Sequence, residues 1–408
     1  MLTLTPPRSA LDARTLTAPG GFAWWYADVV DADGSGVVVI AAYGLPFLAR
    51  RGERDTPIAR PSINVAVYER GICTFYALQE LPVGGPAERD RALQEACAWS
   101  DGAPQRGDER TLQVGASTLH LGRTAGGDGE ILNYLAEIDI TLPTGSLRGT
   151  LKVEGAARLH PPDGVGHQPH TLGTPATYED AAAIAHDWSP QTGIAHGHAA
   201  LTIVAPDGSA RDVVVDGSAY LDRNGGLLPM TDLGIGWWLW ARADVDVGGG
   251  AQESRIVYAL WPEDGGPPSC VGVSTDERGH SRVVDVDVHQ DDVARTWLGM
   301  REVRRFTATE KATGTTFMVG EVVHRVDDGP FYLRHTLRAG VAAASADVRG
   351  TVEVVDATKL DRRWQRPFVA MRVTPSSPSR ASLWHPLFSG PKEGRVARQL
   401  GWLTGGRP

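Results

Sequence analysis

A chain of 408 residues has the length of about two or three domains. Its formal charge of -9 is the wrong sign for a nucleic-acid partner, whose phosphates are held by clustered Lys and Arg that release counterions. Hydrophobic residues make up 42% of it, enough for packed cores. Cys73, Cys97 and Cys270 stand far apart with no CxxC spacing, so neither a disulfide framework nor a thiolate zinc site is indicated.

The opening residues 1–19 hold Pro6, Pro7, Asp12 and two Arg where a signal peptide needs an apolar run. They are read as an N-terminal extension. No apolar stretch reaches the roughly 18 residues of a membrane-spanning helix. The expectation is a cytoplasmic protein, attached at most peripherally to the inner face of the membrane.

From residue 20 onward, short runs rich in Val, Ile, Leu, Thr and aromatics alternate with Gly, Asp and Pro clusters. "GVVVIAAYGLPF", "SINVAVYERG", "TLQVGASTLHLG", "AEIDITLPTG", "RGTLKVEGAARL", "AALTIVAPDG" and "RDVVVDGSAYLD" lie before residue 230. "GWWLWARADVDV", "SRIVYALWPEDG", "SRVVDVDVHQDD", "FYLRHTLRAG" and "GTVEVVDATKL" lie after it. This spacing predicts a mainly β fold of antiparallel barrel or sandwich strands. Two stretches predict short helical insertions: "PAERDRALQEACAW", opening on Pro86, and "TYEDAAAIAH", where Thr177 precedes Asp180 as in a capping box. The simplest division is two tandem β domains, 20–230 and 231–375, followed by a tail, 376–408, that loses strand periodicity.

In "GGFAWWYADVV" a strand places Trp24, Tyr26 and Asp28 on one face and Trp25 on the other. "GIGWWLWAR" repeats this with Trp238 and Trp240 opposite Trp237. These two strands carry five of the 12 Trp, so the aromatic density is local. Bulky core packing explains that pattern, and so does the wall of a cavity for a long apolar ligand. Trp24, Tyr26, Trp238 and Trp240 are the candidate wall.

"HDWSP" spaces His186 and Trp188 two apart, and "GSAYLDRNGG" does the same with Tyr220 and Asp222. Each pair sets a proton-transfer group beside an aromatic ring on one strand face. The plain alternative is a capping His, a core Trp, a strand-end Tyr and an Asp opening a turn. "IAHGHAA" (His196, His198) lacks a third ligand, and "VVDVDVHQDD" (Asp285, Asp287, His289) has the pattern of a solvated strand face, so no metal is expected. With no nucleophile elbow, P-loop or GxGxxG fingerprint, no phosphate-bearing cofactor is expected either.

"GGFAWWYADVV", "INVAVYE", "HDWSP", "GSAYLDRNGG" with Pro229, "WWLWAR", "RIVYALW", "DDGPFYLRHTL" and "LDRRWQRPFV" occur in the order seen in the carotenoid 1,2-hydratase (hydroxyneurosporene synthase) family. The chain resembles that family from about Gly20 to about Pro375. The resemblance implies two tandem lipocalin-like β domains with a pocket near their junction. It also implies cofactor-free addition of water to a terminal double bond of an acyclic carotenoid. Its His-x-Trp-x-Pro and Tyr-x-Asp motifs fall on His186, Trp188, Tyr220 and Asp222. Polyene cyclases of the same superfamily resemble Tyr-x-Asp-His-Asn at this turn, where this chain has Arg223.

On that resemblance Asp222 is the expected acid, raised about three units above its ordinary value by an apolar pocket. Trp188, Tyr220 and Trp238 would face a tertiary cation. His186 would hold the attacking water and accept its proton, and Asn224 would contact substrate. Three activities stay open: a hydratase, a cyclase that adds no water, and a carrier of polyenes. The partner in each case is a hydrophobic polyene. In the tail, Trp384, Phe388, Trp402 and Leu403 with Lys392, Arg395 and Arg398 have the composition of an interfacial anchor; a disordered end or a strap across the second domain is the alternative.

Overall fold

The computed structural model describes residues 2–4, 11–45, 55–82, 84–100, 109–125, 130–157, 170–172, 186–360, 362–376 and 388–392. The fold is mainly β. One sheet holds 14 strands. They are β1 (Leu2–Leu4), β2 (Phe22–Val30), β3 (Gly36–Tyr43), β4 (Pro61–Glu69), β5 (Ile72–Glu80), β6 (Glu109–Val114) and β7 (Ser117–Ala125). There follow β8 (Glu130–Leu142), β9 (Gly145–Ala157), β10 (His170–Leu172), β11 (His186–Pro190), β12 (Thr192–Val204), β13 (Ala210–Gly226) and, from the chain's end, β22 (Gly390–Pro391).

The remaining strands close into an eight-stranded antiparallel barrel. They are β14 (Ile235–Gly248), β15 (Ala251–Pro262), β16 (Ser269–Asp276), β17 (Ser281–Arg295), β18 (Arg301–Glu310), β19 (Thr316–Asp328), β20 (Tyr332–Gly340) and β21 (Gly350–Asp356). Closure comes from β21 pairing back onto β14. The large sheet runs β22-β5-β4-β3-β2-β13-β12-β9-β8-β7-β6, with β11 added beside β13. Its hairpins follow local chemistry. Arg70 and Gly71, both at positive φ, form the two-residue turn between β4 and β5, the geometry that matches strand twist.

The predicted helix beginning at Pro86 is present as Pro86–Ser100. The one predicted around Thr177 lies outside the described residues.

Three cores explain why the aromatic strands carry bulk on both faces. Trp25, Ala27 and Val29 of β2 join Ala219 and Leu221 of β13 in a core within the curl of the large sheet. Trp24 and Tyr26 point the other way and pack on Trp238 and Trp240, which stand on the outside of the barrel. Leu239, Ala241 and Ala243 fill the barrel itself. A strand buried on both faces has no polar alternation to show, hence "WWY" and "WWLW".

After the barrel the chain returns to the large sheet. Glu80 N donates to Thr374 O at 2.9 Å, and Gly390 and Pro391 pair with Tyr76 and Phe75. These contacts cover the β5 edge, which would otherwise offer unpaired backbone groups. Of the tail residues in the anchor expectation, Phe388 is half-buried and Lys392 exposed, while Trp384, Arg395, Arg398, Trp402 and Leu403 lie outside the described residues. Among the described residues no helix is long and apolar enough to cross a membrane. His196 and His198 pair with Asp216 at 3.1 and 3.0 Å on an exposed face, and no described cluster of three His, Cys, Asp or Glu could hold a metal.

Candidate active site

Three adjacent strands assemble the site. β13 lies between β2 and β11, in register so that Asp222 faces Tyr26 on one side and Pro190 on the other. Asn224 faces Trp24 and Trp188 in the same way. Strand period two then puts Tyr220, Asp222 and Asn224 on the face turned toward the barrel.

There the five residues singled out in the two motifs and their turn form one hydrogen-bonded chain. Trp188 Nε1 and Tyr220 OH donate to Asp222 Oδ2 at 3.0 and 3.1 Å. Asn224 Nδ2 donates to Asp222 Oδ1 at 2.8 Å, and Asn224 Oδ1 meets His186 Nε2 at 2.9 Å. All five are at most 5% exposed.

Burial pushes the Asp222 carboxyl up to about 8 against the opposing pull of the Trp188 and Tyr220 hydrogen bonds. Burial likewise lowers His186 to about 4, so its ring is neutral at pH 7. Asp222 is therefore held protonated at neutral pH, yet three donors are aimed at its oxygens. Each hydrogen bond to a charged group contributes about 1.5–3 kcal/mol, and these strengthen as a proton leaves. Chemically, such a carboxyl can act as a proton donor.

Above Asp222 opens a pocket between the large sheet and the outer wall of the barrel, with about 1310 Å³ of empty space including open solvent at its mouth. Trp24, Tyr26, Trp188, Trp238, Trp240 and Tyr258 supply aromatic walls, and Asp222 and Asn224 reach its surface. Trp24, Tyr26, Trp238 and Trp240, the four named from the sequence, all line it. Tyr220 and His186 are not among the lining residues: Tyr220 stands behind the carboxyl, and His186 stands behind Asn224, wedged against Trp24 at 5.2 Å between ring centroids. Arg223 also turns away from the pocket and pairs with Asp187 at 3.0 Å.

A charged group lies at the junction beside the pocket, and its Arg334, Glu353 and Tyr332 line the pocket from the barrel side. Asp28, fully buried, accepts from Arg242 Nη2 at 2.5 Å, Arg334 Nη2 at 2.6 Å and Tyr26 OH at 2.7 Å. Arg334 also donates to Glu353, and Tyr332 OH donates to the same carboxylate at 2.8 Å. Asp28 thus joins Arg242 and Arg334 across the junction, with Glu353 beside Arg334 and Asp244 beside Arg242 on the barrel side. Arg334, Tyr332 and Glu353 went unremarked in the sequence, as did Tyr258, which packs edge-on against Trp188 at 5.1 Å. The available signal was a charge on the face of a strand otherwise rich in valine, as in "GTVEVVD".

The chain matches the family model of the carotenoid hydratase CrtC over residues 105–382. It is 26% identical over 336 residues to the acyclic carotenoid 1,2-hydratase of Thiocapsa roseopersicina, covering 80% of this chain and 67% of that one. Among solved structures it resembles an AttH-type protein of Nitrosomonas europaea, at 14% identity and TM-score 0.51, over 88% of this chain and 99% of the other. That likeness speaks to the fold alone. Kievitone hydratase of Nectria haematococca superposes with TM-score 0.45 at 10% identity, covering 89% of this chain and 100% of that one. The family match takes in the His186, Trp188, Tyr220 and Asp222 motifs and their polar chain, and by it this protein belongs to the carotenoid hydratase CrtC family.

Proposed function

We propose that this protein adds water across the terminal trisubstituted double bond of an acyclic carotenoid or a closely related polyene, without a cofactor. The observation that carries this reading is Asp222: a carboxyl kept neutral by burial, on the wall of an aromatic pocket, with donors poised to receive its anion. Asp222 Oδ2 takes the Trp188 and Tyr220 hydrogen bonds and Oδ1 only that of Asn224, so in this reading Oδ1 carries the proton toward the alkene. Transfer leaves a tertiary cation facing Trp24, Trp188, Trp238, Trp240 and Tyr258. Each ring quadrupole contributes roughly 0.5–2 kcal/mol to such a cation.

Water capture completes the reaction. His186 sits behind Asn224 rather than on the pocket, so its role in this reading is to orient the Asn224 amide that in turn positions Asp222. It is a positioning residue. The deciding experiment is the product mass from purified protein given detergent-dispersed lycopene. A gain of one water is expected. A product of unchanged mass with altered bonding would favour a cyclase, and recovery of bound, unaltered polyene a carrier.

Two further outcomes follow from the same geometry. The acid works only while protonated, so hydration should fall about tenfold per pH unit above about 8. A rate profile still flat at pH 9.5 would remove Asp222 as the donor. Trp188 serves both as a hydrogen-bond donor and as a ring at the cation. Trp188→Phe should lose the first and keep much of the second, slowing hydration about tenfold, while Trp188→Ala should slow it about 100-fold or more. Equal losses measured for the two variants would reduce Trp188 to a donor.

A further inference from the structure

We propose that Glu353 is the base that takes the proton of the attacking water, on the opposite wall of the pocket from Asp222. This rests on the hydratase reading above and supplies what that reading lacks, since His186 does not reach the pocket.

Glu353 projects from β21, in register with Trp240 of β14 and Arg334 of β20, so it shares the barrel's outer face with the aromatic wall. It lines the same pocket as Asp222. Its two oxygens are unequal. Oε1 accepts from Tyr332 OH at 2.8 Å and Arg334 Nη1 at 2.5 Å, whereas Oε2 accepts no hydrogen bond from the described residues, and 15% of the side chain is accessible. One oxygen is anchored and the other is left to meet a water.

The direct ion pair favours an ionised Glu353. Arg334 donates to it, whereas Arg242 has both Asp28 and Asp244 beside it, so a neutral Glu353 would leave Arg334 with only a share of Asp28. Burial raises the carboxyl from its ordinary value while Arg334 and Tyr332 oppose that rise, which makes its anion a stronger base than a surface Glu. A neutral Asp222 and an anionic Glu353 across one apolar pocket are two carboxyl groups set to different roles by their surroundings. Hydration needs such a pair.

The step balances. The Asp222 O–H bond breaks as a C–H bond forms, and the alkene π pair becomes that bond. A water lone pair then forms the C–O bond, and a water O–H bond breaks to protonate Glu353 Oε2. The proton leaves Glu353 through the pocket mouth and an equal one returns to Asp222 from solvent.

The test uses the full chain with detergent-dispersed lycopene in D₂O, following hydrated product and deuterium in the recovered polyene together. Glu353→Gln should hydrate about 100-fold more slowly, yet Asp222 should still form the cation and take back a proton from a freely rotating methyl beside it rather than the deuteron just added, so deuterium enters the terminal isopropylidene group near the wild-type rate. A folded Glu353→Gln protein that hydrates within about threefold of wild type overturns the proposal. So does one that loses hydration and exchange together, because Glu353 then acts through packing or Arg334.

Should the Gln variant not fold, Glu353→Asp keeps the charge for Arg334 while withdrawing the carboxylate. It should show the same split, and parallel loss of both signals overturns the proposal. Asp222→Asn should do neither reaction. If it still exchanges deuterium, the assignment of Asp222 falls while that of Glu353 stands on its own split. A wild-type protein that neither hydrates nor exchanges removes the hydratase reading and this proposal with it.

Discussion

Replacing Asp222 with Asn should cut hydration by at least about 10³-fold, the upper range for loss of a general acid, while leaving the fold intact. The amide fits between Trp188, Tyr220 and Asn224 but has no proton acidic enough for an alkene. The same substitution should change stability in a way that depends on pH. Unfolded, Asp222 ionises near 3.8, whereas folded it ionises near about 8. Between those values the folded state holds a proton that the unfolded state lacks, so wild-type stability falls as pH rises across that window.

Each pH unit in the window costs about 1.4 kcal/mol, and Asn does not titrate. Relative to wild type, Asp222→Asn should therefore gain a few kcal/mol between pH 5 and pH 9. Urea denaturation of both proteins at the two pH values measures this. The groups nearest the carboxyl, Tyr220, Tyr258, His186, Glu353 and Asp28, remain in both proteins and largely cancel in the difference. An unchanged difference would mean that Asp222 is ionised in the folded state, and the proton-donor reading would end.

The second large effect concerns stability. Asp28 is completely buried and compensates both Arg242 and Arg334, which come from the barrel strands β14 and β20. Asp28→Asn removes the carboxylate that two guanidinium groups share in a dry junction. Removing one partner of such a buried pair costs about 3–5 kcal/mol. By contrast, replacing Arg70, paired to Asp33 but 80% exposed, should cost under about 1 kcal/mol. Denaturation of the two single variants side by side checks the ranking, and similar losses would show that the Asp28 cluster contributes no more than a surface pair.

Much of this protein was legible along the chain. The regular apolar runs announced strands, Pro86 announced a helix, and the period of two separated Trp24 and Tyr26 from Trp25. These are local properties: a strand's alternation and a helix's first turn are written within a few residues of one another. The pairing of His186 with Trp188 and of Tyr220 with Asp222 could be seen for the same reason, and their resemblance to a family joined the two pairs before any register was known.

What could not be read is how far each side chain stands from the ligand. His186 and Asp222 looked like equivalent members of a motif, yet the β11–β13 register puts Asn224 between them and leaves His186 behind the wall. Glu353 and Arg334 looked like ordinary charges in distant strands. They become part of the pocket because the barrel presents its outer face to the sheet, a contact between residues remote in sequence. The shift of Asp222 to about 8 has the same origin, because desolvation depends on everything that closes over a carboxyl. Sequence spacing records which residues share a face, whereas burial and charge compensation arise only when two separately formed surfaces meet.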